Sequence, residues 1–143
     1  MIVRKMEEKD LDQVCQLEAD TFSRPWRRKD FEDAIREKYY CFYVAAEDNI
    51  VLATAGLICS LDEADITNVA VLPAYRRRGI ARSLLRQMLA EAKTNGIKAF
   101  TLEVRAGNLA AIQMYESLGF VREGLRKEFY DLPCEDAVIM WKR

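Results

Sequence analysis

Histidine is missing altogether from the 143 residues. That absence removes Ser-His-Asp and Cys-His nucleophile pairs and every metal site built on imidazole. A general base in this chain must be Glu, Asp, Lys or Tyr, or a water held by one of them. A basic excess is missing as well: 22 Lys plus Arg stand against 23 Asp plus Glu, a net charge of −1. Bulk nucleic-acid binding needs a clear surplus of cations, so no nucleic-acid partner is expected. No apolar run approaches the length of a membrane span, so no membrane partner is expected either. The opening MIVRKMEEKD is charged and has no apolar core; no secretory signal is expected, and a cytoplasmic location is. The cysteines Cys15, Cys41, Cys59 and Cys134 include no CxxC pair and have no histidine to activate them. They read as small reduced thiols rather than catalytic or metal-binding groups. Two common phosphate-binding strings, GxxxxGK[ST] and GxGxxG, are absent. No repeat, low-complexity tract or linker composition breaks the chain. One domain over residues 1–143 is expected, long enough for a real core.

What is present is organised around NVAVLPAYRRRGIARSLL, Asn68 to Leu85. The apolar run Val69-Ala70-Val71-Leu72 reads as a strand and stops at Pro73. After the polar stretch Ala74 to Arg78 and Gly79, the pattern turns helical, with Ile80, Leu84, Leu85, Met88, Leu89 and Ala92 at 3.6-residue spacing. A helix start leaves backbone N–H groups unpaired and partly positive, and a glycine there lets a ligand approach the backbone. Strand, basic loop and helix together form an anion cradle suited to a pyrophosphate.

Around this stretch the coarse reading is β-α-α-β-β-β-α-β-α-β-β. Ile2 to Lys5 is a first strand. Asp10 caps a helix that shows Leu11, Val14, Cys15, Glu18 and Phe22 on one face, and a second helix shows Phe31, Ala34 and Ile35. Strands follow at Cys41–Ala46, Ile50–Cys59 and Ala64–Leu72, with turns at Asp48-Asn49 and Leu61 to Glu63. Asn95-Gly96 stops the central helix, Ala99 to Val104 is a strand, and Asn108 caps a helix through Leu118. Phe120–Leu125 and Ala137–Trp141 are the last strands, joined by a loop containing Pro133. The unit from Ala64 to Val104 demands one right-handed parallel crossover, and the remaining connections are antiparallel. The fold class is therefore α/β, a mixed, mostly antiparallel sheet with helices on both faces.

A second motif lies at LEVRAGN, Leu102 to Asn108, followed by AAIQMYESLGF, Ala110 to Phe120. Glu103 closes a strand, Asn108 starts a helix, and Tyr115 falls two turns later on the face of Asn108 and Ile112. These three can converge at the carboxyl end of the strand, the usual ligand side of open α/β sheets. The plainer readings are an exposed strand charge, a helix cap and a core aromatic.

RRRGIA, Arg76 to Ala81, resembles the Arg/Gln-x-x-Gly-x-Gly/Ala signature of the GNAT superfamily of N-acetyltransferases. LEVRAGNLAAIQMYESLGF resembles the corresponding segment of its RimI-type ribosomal-protein-alanine N-acetyltransferases, and CEDAVIM (Cys134 to Met140), Leu61 to Ala64 and Pro25-Trp26 are similar to other RimI segments. The likeness covers essentially the whole chain. It departs mildly at Ala81 and Gly107, where many members carry Gly and Ser, and more at RKEFYDLP, Arg126 to Pro133. The resemblance implies the GNAT acyl-CoA N-acyltransferase fold and acetyl-CoA as co-substrate, with no metal. It implies Glu103 as base, Tyr115 as acid and Asn108 as an acetyl-CoA contact. The pyrophosphate is expected on Arg76, Arg77, Arg78, Gly79, Ile80, Ala81 and Arg82, and the pantetheine arm along Val69, Ala70 and Val71. Pro25, Trp26 and Tyr130 are expected to wall a peptide groove. The implied acceptor is a protein α-amine, the N-terminal alanine of protein eighteen of the small ribosomal subunit.

The chemistry needs an amine to lose a proton and a thiolate to leave. Glu103 can take the first proton, directly or through water, and Tyr115 can supply the second. A phenol near ~10 and a thiol near ~8.5 differ little in solution. An α-amine near ~8 also has a neutral fraction at pH 7 over two orders of magnitude above that of a lysine near ~10.4. The alternatives are an acetyltransferase for a small amine or lysine, a CoA-binding module without chemistry, and an RNA-binding domain using Arg76 to Arg78. Glu103 and Tyr115 together argue against the second; the net charge and the lack of an RNP-type aromatic motif argue against the third.

Overall fold

The computed structural model describes residues 1–143. Seven strands and four helices alternate in the expected order: β1 Ile2–Lys5, α1 Leu11–Thr21, α2 Arg28–Ala34, β2 Tyr40–Glu47, β3 Ile50–Ser60, β4 Glu63–Val71, α3 Ile80–Thr94, β5 Ala99–Arg105, α4 Leu109–Ser117, β6 Val121–Asp131 and β7 Cys134–Lys142. Local chemistry explains the joints. Asp48 and Asn49 both take positive φ, 50° and 67°, the twist a two-residue hairpin between β2 and β3 requires. Asn108 accepts the Ala111 N–H through its side-chain oxygen at 3.2 Å and so caps α4.

The strands form one sheet in the order β1-β2-β3-β4-β5-β7-β6. Every neighbour pair is antiparallel except β4 with β5. On one face, α3 and α4 bury the larger core. All six residues of the 3.6-residue stripe on α3, Ile80 through Ala92, are buried there with Leu52, Leu57, Phe100, Leu102, Ile112 and Phe120. Leu84, Leu85 and Met88 are wholly enclosed, so truncating any of them to alanine should cost about 2–5 kcal/mol. On the other face, α1 and α2 cover a smaller core of Met6, Leu11, Val14, Phe31, Ala34, Phe42, Val44 and Val51. No helix is long and apolar enough to cross a membrane.

Two local expectations need correction. Asp10 precedes α1 but does not cap it: its carboxylate accepts the Glu7 N–H at 2.8 Å and a two-pronged contact from Arg4 at 2.7 and 2.8 Å. It closes a 3-10 turn ahead of the helix and pins β1 to it. The supposed loop around Pro133 is a two-residue turn between strands that continue through Arg126–Asp131 and Cys134–Asp136. The strand was hidden because β6 is an edge exposed on nearly all sides, which leaves no apolar alternation to read. Its ladder with β7 also breaks between Arg126 and Tyr130, where Glu128 takes a φ of 52°.

Candidate active site

The parallel pair is short. β4 and β5 are in register only at Glu63–Asp65 against Ala99–Thr101, and beyond that the strands part. β4 stays paired with β3 as far as Val71, and β5 with β7 as far as Arg105. A gap therefore opens between their carboxyl-terminal halves. On its β4 side the ladder with β3 shifts register, and Asn68 sits in this bulge with a φ of 55°. The backbone of Val69 to Val71, with no partner strand on the β5 side, faces the gap.

At the end of β4 the chain makes a 3-10 turn, Pro73–Tyr75, and runs through the arginines to Gly79. Gly79 is the N-cap of α3 with a φ of 75°, and no side chain caps the first turn of the helix. A Cβ added there would meet nothing within 4 Å. Arg77 also takes a left-handed φ of 63°. Arg76 Nε donates to the Val71 carbonyl at 3.2 Å, and Arg78 lies over the Tyr75 ring. Arg77, Arg78 and Arg82 are exposed, and no carboxylate pairs with them. Open space, uncapped helix N–H groups and unpaired cations all fit a pyrophosphate.

The acid–base candidates stand on opposite faces of the sheet. Glu103 lies inside β5, which runs on to Arg105, and alternates with the core residues Leu102 and Val104. Its side chain therefore stands on the α1/α2 face, about a third exposed (32%), with Arg126 3.9 Å away. Tyr115 belongs to the α3/α4 core, its ring against Phe120 at a centroid distance of 5.9 Å. The ring is buried, while the hydroxyl bonds to no protein atom and is not enclosed. Burial, with a smaller contribution from Tyr130, pushes the phenol well above its ordinary range. The near match to a thiol that solution values suggest is therefore poorer in the folded chain. Burial and then the charge of Glu103 push the Tyr130 phenol above its ordinary value, opposed by Arg105, which is stacked on its ring at 4.4 Å. No hydrogen bond joins Glu103, Asn108 and Tyr115 to one another, and the Asn108 oxygen is committed to its cap.

The sequence profile described as the acetyltransferase (GNAT) family matches residues 11–120. The chain belongs to this family. Among its relatives, the ribosomal protein bS18-alanine N-acetyltransferase of Salmonella typhimurium is 40% identical over 133 residues, covering 92% of this chain and 89% of that one. The crystal structure of the ribosomal-protein-S18-alanine N-acetyltransferase from Escherichia coli superposes with a TM-score of 0.89 at 34% identity, over 99% of this chain and 92% of that one. Ard1 from Thermoplasma volcanium is similar at 25% identity, with a TM-score of 0.85 over 99% and 95% of the two chains. The protein is an acetyl-CoA-dependent N-acetyltransferase, and the mixed sheet with one parallel pair is the expected GNAT fold.

Within this acetyltransferase the residues expected to wall a groove are placed unevenly. Pro25 is exposed in the α1–α2 loop. Trp26 is not an exposed aromatic: it is half-buried against Phe31, Tyr40 and Phe42, at centroid distances of 5.2, 6.2 and 5.3 Å. Tyr130 is a half-buried residue of β6 rather than a loop residue. The loop and the β6–β7 hairpin are strapped together by Arg24, whose guanidinium donates to Asp131 at 2.6–3.1 Å. Reading the sequence also missed Glu135, which accepts the Gly107 N–H at 2.6 Å and pairs with Arg105 at 3.3 Å. A Cβ at Gly107 would stand 2.8 Å from that carboxylate, so a larger residue here would require the Glu135 side chain to shift. Glu18 and Asn68 were missed too. A carboxylate on the apolar face of α1 and an asparagine inside an apolar strand were the available signals.

Proposed function

We propose that this N-acetyltransferase modifies a protein α-amine, the N-terminal alanine of a bS18-type ribosomal protein, and that residues 1–143 act as one cytoplasmic unit. The observation that carries the reading is the Salmonella relative of that printed activity, aligned over nine-tenths of both chains. The gap supports it from the side of chemistry. Glu103 stands partly exposed at the gap and takes the amine proton, directly or through water. The free edge of Val69 to Val71 aligns the pantetheine arm as an added strand and polarises the thioester carbonyl with its N–H groups. Arg76 to Arg82 hold the pyrophosphate, with Asn108 at the start of α4 as a further contact. Tyr115 hydrogen-bonds the departing sulfur and gives up its proton as the C–S bond breaks. Pro25, Trp26 and Tyr130 bound the acceptor side.

The test is a competition. Labelled acetyl-CoA is offered with peptides beginning with alanine and other residues, with lysine peptides blocked at the N-terminus, and with polyamines. Alanine-starting peptides should give the highest kcat/KM. Faster turnover of a lysine side chain or a polyamine overturns the acceptor assignment.

A further inference from the structure

One buried carboxyl takes no part in this scheme. Glu18 lies on α1, 1% exposed, among Leu11, Val14 and Leu17. Its Oε1 accepts two hydrogen bonds, from the Trp26 backbone N–H at 3.2 Å and from Asn68 Nδ2 at 2.7 Å. Its Oε2 is enclosed and has no partner. Asn68 in turn accepts from Thr67 Oγ1 at 2.7 Å. The run Thr67–Asn68–Glu18–Trp26 thus ties the bulge of β4 to the loop between α1 and α2.

Packing does not explain an ionisable group there. An enclosed carboxyl oxygen without a donor is a cost, and an apolar side chain would fill the same face of α1 without it. What the carboxyl does provide is a pair of directed bonds to two segments that flank the gap. Asn68, with its left-handed φ, sits in the bulge where the β3–β4 register shifts, just ahead of Val69 to Val71. Trp26 is the residue that closes the loop on the acceptor side.

We propose that Glu18 is a positioning residue: by holding Asn68 and Trp26 on one oxygen, it fixes the thioester-polarising edge of β4 and the acceptor loop at a set distance. The inference rests on the acceptor-side reading given above for Pro25 and Trp26. Losing the tie lets the bulge and the loop drift independently, so the amine and the thioester carbonyl meet out of line. The pyrophosphate cradle at Gly79 lies beyond the end of β4 and is not part of the tie.

The experiment compares Glu18→Ala, Glu18→Gln, Asn68→Gly and the Glu18→Ala/Asn68→Gly double variant, with acetyl-CoA and an alanine-starting peptide. Asn68→Gly keeps the positive φ accessible and deletes the amide that Glu18 holds, together with its local bond from Thr67. Glu18→Ala should lower kcat ~10²-fold, the usual consequence of an ångström of misplacement. It should raise the peptide KM and leave the calorimetric Kd for acetyl-CoA unchanged. Asn68→Gly should reproduce the kcat loss, and the double variant should be no slower than the worse single one, because both cut the same tie. Glu18→Gln keeps an accepting oxygen and should recover most of the rate. A folded Glu18→Ala with wild-type kcat and only a lower Tm overturns the assignment. If Glu18→Ala does not fold, a wild-type kcat in Asn68→Gly overturns it equally. Wild-type protein that ignores alanine peptides but acetylates another amine refutes the acceptor reading instead, and the same variants tested with that amine still decide the role of Glu18.

Discussion

Replacing Tyr115 with phenylalanine removes one oxygen and leaves the ring. In the folded chain that ring is part of the core beside Phe120, and its hydroxyl makes no hydrogen bond to protein. No partner is orphaned by the change, so stability should move by no more than about 0.5 kcal/mol, a Tm shift of roughly 2 °C or less. The rate should move far more. A positioned acid is worth ~10²–10⁴-fold, which is about 2.7–5.4 kcal/mol of barrier. The loss belongs in kcat rather than in either KM, because a proton given to the leaving sulfur matters only in the transition state. Burial raises the phenol above its ordinary value; the transfer is then coupled to C–S cleavage, and wild-type kcat should fall in deuterated water more than that of Tyr115→Phe. Acetylated peptide is best counted by mass spectrometry, since the exposed Cys134 would itself consume a thiol reagent. A variant that melts with the wild type and turns over at its rate refutes Tyr115 as the acid. Tyr115→Ala is no substitute, because deleting a buried aromatic ring costs about 3–5 kcal/mol by itself.

Glu103→Gln should slow turnover by ~10²-fold or more with acetyl-CoA affinity retained; a folded variant that turns over at the wild-type rate refutes Glu103 as the base. Gly79→Asn tolerates the left-handed φ of 75° yet places a side chain in space that is otherwise empty. Acetyl-CoA binding should weaken by ~10-fold or more, since the anion must approach that backbone closely, and an unchanged calorimetric Kd removes the cradle assignment. Burial raises the pKa of Glu18, with the Trp26 and Asn68 hydrogen bonds opposing it. The folded state therefore holds more protons than the unfolded state between the ordinary carboxyl value and the raised one, and the contribution of Glu18 to stability is lost as pH rises through that window. The stability of wild type minus that of Glu18→Gln, from denaturant melts at several pH values, should decline with rising pH there; a flat difference refutes the shift.

Local chemistry carries the donor side of the site. The six-residue apolar stripe of α3, the stop at Pro73 and the left-handed Gly79 lie within one contiguous run, and each acts on its immediate neighbours. Periodicity and helix-end physics therefore suffice to find the strand, the turn and the helix start at Gly79, and with them the proposed cradle, from the letters alone. Glu103 and Tyr115 were legible as candidates for the same reason, each one step from a recognisable strand or helix. Their placement on opposite faces was not. Alternation along β5 puts Glu103 opposite Leu102 and Val104, but which face of the sheet α4 covers with Tyr115 is settled by tertiary packing.

The acceptor side obeys different rules. Its contacts join residues far apart in the chain: Trp26 and Asn68 meet on Glu18 across 8 and 50 positions, and Arg24 reaches Asp131 across 107. Glu18 and Asn68 stand out only as polar groups in apolar elements, Arg24 and Asp131 look ordinary, and no local pattern pairs any of them. The strand β6 that supplies Tyr130 and Asp131 is an exposed edge, so burial leaves no pattern in it. The two halves of the site are thus physically separable. Under the proposed assignments, a cradle built from one segment can hold the same donor while substitutions in α1, the α1–α2 loop and the β6–β7 hairpin alter what approaches the thioester. In that reading Glu18 is where the independence ends, since its one carboxyl oxygen touches both the α1–α2 loop at Trp26 and β4 at Asn68.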